Sequence, residues 1–321
     1  MNENTDYFGI DISKDVFDVV NTEGDHFQFS NSANGFKDFI DLLDENSHCV
    51  MESTAYYHIQ LANALLQAAI KVSVENPLAV KRYIQMHLSR IKTDKSDAKM
   101  LCQYAHHTTL RLWKGHTENQ VNCLQIMSLV SQYTKQLVMI KTKLEGESAL
   151  GNPVKIVVKS LRKSLERLKT EIRVLEEELL RIIKIDHQDL LTRIESIVGI
   201  GRKTAVTLIV LTDGFNKFDN SKQLCSYAGI TPIIRQSGSS VYVKARISKM
   251  GNRKLRSMLF LCSFSAKKHN KACVALFDRM VAKGKPRKVA LMAVCNKLLK
   301  QAFAIAKSGV PYDRAYRSQL H

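Results

Sequence analysis

The sequence predicts an α/β plus α architecture: an N-terminal α/β layer, a coiled-coil helical connector and an α-rich, basic C-terminal part. Three observations carry this expectation. Short apolar runs alternate with helical patterns at the start of the chain, an a/d heptad seam follows, and the last third joins helical periodicity to a large excess of cations. The expected divisions are 1–110, 111–187 and 188–321. With 321 residues, 45% of them hydrophobic, the chain can build two modest cores and is long for one compact domain.

Taken in order, DYFGIDIS, DVFDVVNT and HFQFS read as three paired strands, with Gly24 and Asp25 marking a turn. A helix is expected near Gly35 to Leu43, then a short apolar run HCVMES, a helix from Tyr57 to Ala69, and the run KVSVEN, which Pro77 ends. Strands separated by helices imply a partly parallel sheet. From Glu118 to Ile185 the pattern turns helical, and Leu161, Leu165, Leu168, Ile172, Leu175, Leu179 and Ile182 recur in steps of four and three. That seam, roughly 30 Å long at ~1.5 Å per residue, suits a helical hairpin or a subunit contact, and its spacing fits equally a long helix packed within its own chain. Gly151, Asn152 and Pro153 permit a reversal there. Further on, IESIVGIGRKTAVTLIV sets Gly199, Ile200 and Gly201 between two apolar helical stretches, the pattern of a helix-hairpin-helix. A turn of that kind can be purely structural, or can present backbone N–H groups to a phosphate, with Arg202 and Lys203 adding charge.

No run of 18 apolar residues occurs and the N-terminus lacks the charged-then-apolar order of a secretory signal, so the expectation is a soluble, cytoplasmic protein with no membrane partner. The seven cysteines are scattered, odd in number and never spaced C-x-x-C, which argues against a disulfide framework and a zinc knuckle. Charge points to a polyanionic partner: the net formal charge is +18. Residues 1–75 nevertheless carry 13 acids against 3 bases, whereas 191–321 carry 25 bases against 5 acids. The nucleic-acid grip is therefore expected late in the chain, with Gly199, Gly201, Arg202, Lys203, Arg246, Lys249, Arg253 and Lys254 as candidate contacts.

Four carboxylates stand where apolar elements end or helices begin. Asp11 lies in the first strand, Glu52 ends HCVMES, and Asp94 and Asp97 are three apart in KTDKSDAKML, hence on one face of any helix there. Such a set can converge on one or two Mg²⁺ ions, as phosphoryl transfer requires. Each has a plain alternative: Asp94 with Asp97 fits a helix cap and first turn, and Asp11 and Glu52 fit a solvated surface.

The order GIDISKD, VMESTAYYH, ENPLAVKRY and KTDKSDAKML resembles the DEDD transposases of bacterial insertion sequences, whose relatives include the Piv-type DNA invertases and the bridge-RNA-guided recombinases. IVGIGRKTA, SYAGITP, SGSS, ARISKMGNRKLR and KSGVPYD continue the likeness through the C-terminal part, so that it spans nearly the whole chain. The resemblance implies a RuvC-like (RNase H-like) domain over 1–110 and a transposase domain over 188–321. It makes Asp11, Glu52, Asp94 and Asp97 the ligands of Mg²⁺, two ions with Mn²⁺ able to substitute, and Ser237 of SGSS the nucleophile, with Ser239 and Ser240 as competitors. It further implies a homo-oligomer, a tetramer in which acids of one subunit can meet the serine of another. A structured guide RNA from the element would join DNA as a partner, and the setting would be the bacterial nucleoid. Two other classes fit parts of the pattern. A RuvC-like junction-resolving endonuclease would share the acids and hydrolyse with water; an architectural DNA-binding protein would use the helix-hairpin-helix and basic helices without cleavage.

Overall fold

The structure, a computed structural model, describes residues 5–53, 56–87, 93–237 and 241–315. The chain forms two compact units, Met1–His116 and Thr117–His321.

In the first unit the element order is β1 (Asp6–Ile12), β2 (Val16–Val20), β3 (His26–Ser30), α1 (Ala33–Ile40), β4 (Ser47–Glu52), α2 (His58–Gln67), β5 (Lys71–Glu75), α3 (Pro77–Met86) and α4 (Asp94–His107). The strands form one sheet in the order β3-β2-β1-β4-β5, antiparallel from β3 to β1 and parallel from β1 to β5. The period-two pattern separates its faces. Phe8, Ile10, Ile12, Phe17, Val19, Cys49, Met51 and Val72 form one core with Phe36 and Phe39 of α1 and Leu61 and Leu65 of α2. Their alternates, among them Gly9, Asp11, Asp18 and Glu52, lie on the opposite face, against which α4 packs. The three strands expected first and the helices near 35–43 and 57–69 are present within a few residues.

The second unit begins with two long helices, α5 (Glu118–Ala149) and α6 (Lys155–Glu195), packed together across a turn in which Gly151 adopts φ +76°. A left-handed backbone is open to glycine without penalty, so the reversal at Gly151 follows from its residue type. Leu165, Leu179 and Ile182 of the heptad seam are buried, and Leu161, Leu168, Ile172 and Leu175 are half-buried, so packing within one chain already covers the seam. At His187 (φ −137°, ψ 28°) α6 kinks.

After α7 (Arg202–Thr212) and α8 (Ser221–Tyr227) comes a two-stranded antiparallel ribbon, β6 (Pro232–Ser237) and β7 (Val241–Ile247). Among the described residues it is the one β element in a part of the chain expected to be α-rich. The chain then finishes with α9 (Arg253–His269), α10 (Lys271–Ala282) and α11 (Arg287–Ser308). Cys123 and Met127 of α5, Leu179, Ile182 and Ile183 of α6, and residues of α7, α8, α9 and α11 share one core. The helical connector is thereby built into the same hydrophobic unit as the C-terminal helices. α11 is long and apolar enough to cross a bilayer by length and composition. Its Leu291, Val294, Cys295, Leu298, Leu299 and Ala302 are buried, so it serves as a core helix here. Among the described residues all seven cysteines are free, and six are buried.

Candidate metal centre and nucleic-acid interface

Glycine sets up the acidic face. Gly9 and Asp11 are two residues apart on β1, hence on the same side of the sheet. A Cβ at Gly9 would lie 2.2 Å from Ala98 O and 2.2 Å from Cys102 N, so the backbone of α4 lies directly on β1 at this point. Ala98 follows Asp97 on that helix, and the close approach brings the first turn of α4 toward Asp11. The parallel register pairs Ile10 with Met51, which places Glu52 beside Asp11 one step further. The antiparallel register pairs Asp11 with Asp18.

Electrostatics reports the same gathering. The Asp11 carboxyl is half-buried and its pKa is pushed up to about 6, by burial first and then by the negative charges of Asp97, Asp94, Glu52 and Asp18. Four carboxylates thus stand close enough to Asp11 to oppose its ionisation. Among the described residues no three His, Cys, Asp or Glu side chains form a ready-made ligand cluster. A divalent cation nonetheless fits the chemistry: hard oxygen donors, excess negative charge and a half-buried position are what Mg²⁺ or Mn²⁺ would relieve.

Helix capping does not occupy the aspartates. Thr93 is the N-cap of α4; its hydroxyl accepts from Ser96 N at 3.1 Å, and Ser96 Oγ accepts from Thr93 N at 2.9 Å. This reciprocal capping box makes Thr93 the cap, while Asp94 and Asp97 stand in the first turn, where their charge also suits the helix dipole. Asp18 is a different case. It is buried, its Oδ1 lies 2.6 Å from His26 Nε2, and both its oxygens accept from Gln28 Nε2 at 3.3 Å. Its partners, both on β3, tie it into the sheet. Gly9 and Asp18 were not singled out from the sequence; the G-x-D spacing in GIDIS is the signal that could have pointed to Gly9.

In the second unit, the turn between α6 and α7 is held from inside. Gly199 (φ +105°) would place a Cβ 2.7 Å from Ala266 Cβ, and the buried Asn270 donates to Val198 O at 3.1 Å. Tyr312 of the KSGVPYD motif donates to Asn270 Oδ1 at 3.1 Å, and its backbone N–H donates to Ser196 Oγ at 3.0 Å. Gly201 caps α7 without a side chain. The flanking cations are exposed but paired: Arg202 Nε meets Glu195 Oε1 at 2.7 Å, and Lys203 pairs with Glu176. The charge that the sequence offered to a phosphate is therefore shared with two acids of α6. Lys254 of α9 is half-buried and its pKa is lowered, by burial first and then by Lys203, while Glu176 opposes that shift and Lys135 adds to it.

SYAGITP and KMGNRKLR cross backbone on backbone. Asn252 N donates to Tyr227 O at 2.7 Å and Lys249 N to Gly229 O at 3.2 Å, while a Cβ at Gly251 (φ +124°) would lie 2.2 Å from Tyr227 O. That crossing positions Lys249 and Arg253, both exposed, at the entry to α9; exposed Arg246 lies on β7 opposite Ile233. Ser237 is the last residue of β6 and pairs with Val241, the first of β7. Gly238, Ser239 and Ser240 lie outside the described residues.

Two family models match the chain. One, described as a transposase and carrying the DEDD name, covers residues 8–147; the other, described as the transposase IS116/IS110/IS902 family, covers 191–277. The first span holds all four acids and the second holds Ser237. The chain is 29% identical over 323 aligned positions to the pilin gene-inverting protein of Moraxella bovis, covering 96% of this chain and 98% of that one. It is 23% identical over 279 positions to the transposase for insertion sequence element IS1111A of Coxiella burnetii, covering 78% and 75%. A DEDD transposase domain points to a divalent metal. Matched in both its parts by transposase models of one kind, and along nearly its whole length by a DNA-inverting relative, the chain belongs to the IS110 family of transposases, DNA recombinases by activity.

Proposed function

We propose that this transposase cuts and rejoins DNA with Asp11, Glu52, Asp94 and Asp97 holding Mg²⁺, two ions in the working enzyme, and with Ser237 as nucleophile. The gathering of Asp97, Asp94, Glu52 and Asp18 around a half-buried Asp11, whose pKa is raised to about 6 by burial first and by these charges second, is the observation that carries the metal assignment. A RuvC-like reading of residues 1–110 is supported by the strand order β3-β2-β1-β4-β5 and by acids at the ends of β1 and β4 and the start of α4. Residues 111–187 then act as the helical connector and 188–321 as the transposase domain. When bound, the metal would neutralise charge on the phosphodiester under attack.

The chain's own residues do the rest. The Ser237 hydroxyl oxygen bonds to phosphorus, the bond to the leaving deoxyribose oxygen breaks, and that oxygen takes up a proton. The phosphodiester is kept as a serine ester until the hydroxyl of a second strand displaces it, so rejoining needs no external energy source. Ser237 supports this reading as the last residue of β6, followed in the sequence by Gly238, a residue type that lets a chain approach a DNA backbone closely. Arg246, Lys249, Arg253 and Lys254 hold the DNA backbone by charge, and Gly199, Gly201, Arg202 and Lys203 present the α6–α7 turn to it. A structured guide RNA selecting the element ends and target, and assembly as a tetramer, complete the proposal, with the bacterial nucleoid as its setting. The named DNA inversion of the Moraxella relative is the same class of cut-and-rejoin reaction.

The test is a suicide DNA substrate that traps a covalent adduct. Ser237→Ala is expected to keep nucleic-acid binding and lose both cleavage and adduct, while Ser239→Ala and Ser240→Ala retain them. An adduct mapped to another residue, or cleavage by Ser237→Ala, overturns the serine assignment. Full-rate recombination after nuclease removal of all RNA overturns the guide.

A further inference from the structure

Glu75 ends β5 and lies outside the four-acid set. The parallel register pairs it with Glu52, and residues paired in this way point to the same side of the sheet. Val72 of β5 belongs to the hydrophobic core on the other side. Glu75 therefore stands on the face that α4 covers, and there the Tyr104 hydroxyl donates to Glu75 Oε2 at 3.2 Å. Burial and the neighbouring Glu75 charge push the Tyr104 pKa up to about 12, which keeps the donor protonated at neutral pH.

Tyr104 is seven residues past Asp97, two helical turns along α4, and so on the same side of the helix. On the sheet α4 packs against β1, β2 and β4, and at β1 the backbone approach at Gly9 and the hydrogen bond from Cys102 Sγ to Tyr7 O at 3.3 Å hold it closely. The Tyr104–Glu75 hydrogen bond adds a tie to the edge strand β5, two strands from β1, and opposes a swing of the helix across the sheet. The lever is long: a 10° swing would move a carboxylate ~10 Å from the pivot by about 2 Å. Misplacement of that size is enough to disable a constellation of ligands.

We propose that the Tyr104–Glu75 hydrogen bond is a positioning clamp that sets Asp94 and Asp97 against Asp11 and Glu52. This rests on the metal-centre reading above. Tyr104 and Glu75 are positioning residues; neither is assigned to the metal.

Full-length protein is titrated with Mn²⁺ by calorimetry, and amide exchange across 94–101 is measured in the metal-free protein. Tyr104→Phe and Glu75→Ala are each expected to bind Mn²⁺ about three- to tenfold more weakly, the loss of one hydrogen bond, and to exchange faster at the start of α4. Glu75→Gln, whose amide oxygen accepts the same bond, is expected to stay within about twofold of wild type in both measurements. Wild-type exchange and affinity in Tyr104→Phe would overturn the clamp. So would Glu75→Gln failing as badly as Glu75→Ala, since the carboxylate charge and not the bond would then matter. Asp11→Asn is the control for the site itself. If it binds Mn²⁺ like wild type, the metal centre is misassigned, whereas the exchange measurement reports on the clamp without any metal.

Discussion

At the scale of single residues, Asp11 makes a pH prediction with a definite sign. Its folded-state pKa is raised from 3.8 to about 6, so the folded protein favours the protonated carboxyl. The stability this contributes is complete below about pH 4 and is lost as pH rises through about 6. In metal-free protein Asp11→Asn should therefore match wild type near pH 4 and be the more stable of the two at pH 7. Mg²⁺ should then raise the wild-type Tm at pH 7 and leave the variant unmoved. Thermal unfolding at both pH values checks this, and an Asn variant that is less stable at pH 7 would sink it. A second contrast separates capping from chemistry on α4. Thr93→Ala removes the cap and should lower stability by about 1 kcal/mol with recombination retained. Asp97→Asn should cost little stability and abolish recombination. Equal activity of Asp97→Asn and wild type would return that aspartate to the role of a first-turn charge.

At the scale of elements, the contact of α4 with β1 is the sensitive joint. Neither partner at Gly9 is a movable side-chain end: Ala98 O and Cys102 N are both backbone. Gly9→Ala must push the helix away, an overpacking that typically destabilises by about 1–3 kcal/mol. Because the same helix carries Asp94 and Asp97, strand cleavage should fall further than the lost stability explains. Chemical denaturation and a cleavage assay on the same preparation check both parts. Retained cleavage in a Gly9→Ala protein of lowered stability would mean that the acids are not placed through this contact. The α6–α7 turn has comparable internal fastening through Asn270, whose amide also donates to Gln301 Oε1 at 3.1 Å. Its surface cations are paired with Glu195 and Glu176, so a phosphate bound there would have to compete with two carboxylates.

At the scale of the whole molecule, charge follows the division into units. Met1–His116 carries 15 acids and 11 bases, a net of −4, and Thr117–His321 carries 15 acids and 37 bases, a net of +22. The isolated 117–321 fragment should therefore bind DNA or RNA with an affinity that falls steeply with salt, and 1–116 should bind poorly. A fragment begun at 188 would lack Cys123, Met127, Leu179, Ile182 and Ile183 from its core and should fold poorly. Filter binding at several salt concentrations checks the first expectation, and circular dichroism checks the second. Equal binding by the two units would contradict the electrostatic division.

Local pattern was enough for much of this protein. The alternation in DYFGIDIS and HCVMES, the four-and-three spacing from Leu161 to Ile182 and the Gly-Asn-Pro break at 151–153 are short-range signals, and each marks an element that is present. The order of the acids and of the C-terminal motifs carried the family. Other features depend on residues far apart in the chain meeting in space. Gly9 matters because Ala98 and Cys102 come to lie on it, Glu75 because its register sets it beside Glu52 and under Tyr104, and Lys203 because Glu176 reaches it from another helix. The capping box of Thr93 and Ser96 had a sequence signature but was hidden behind two more conspicuous aspartates. The β6–β7 ribbon lies where the sequence led to an α-rich expectation, because two short strands leave little periodicity among long helical patterns. Sequence periodicity states which face of an element is buried, but what that face meets depends on close approach between backbones, and no single segment encodes that.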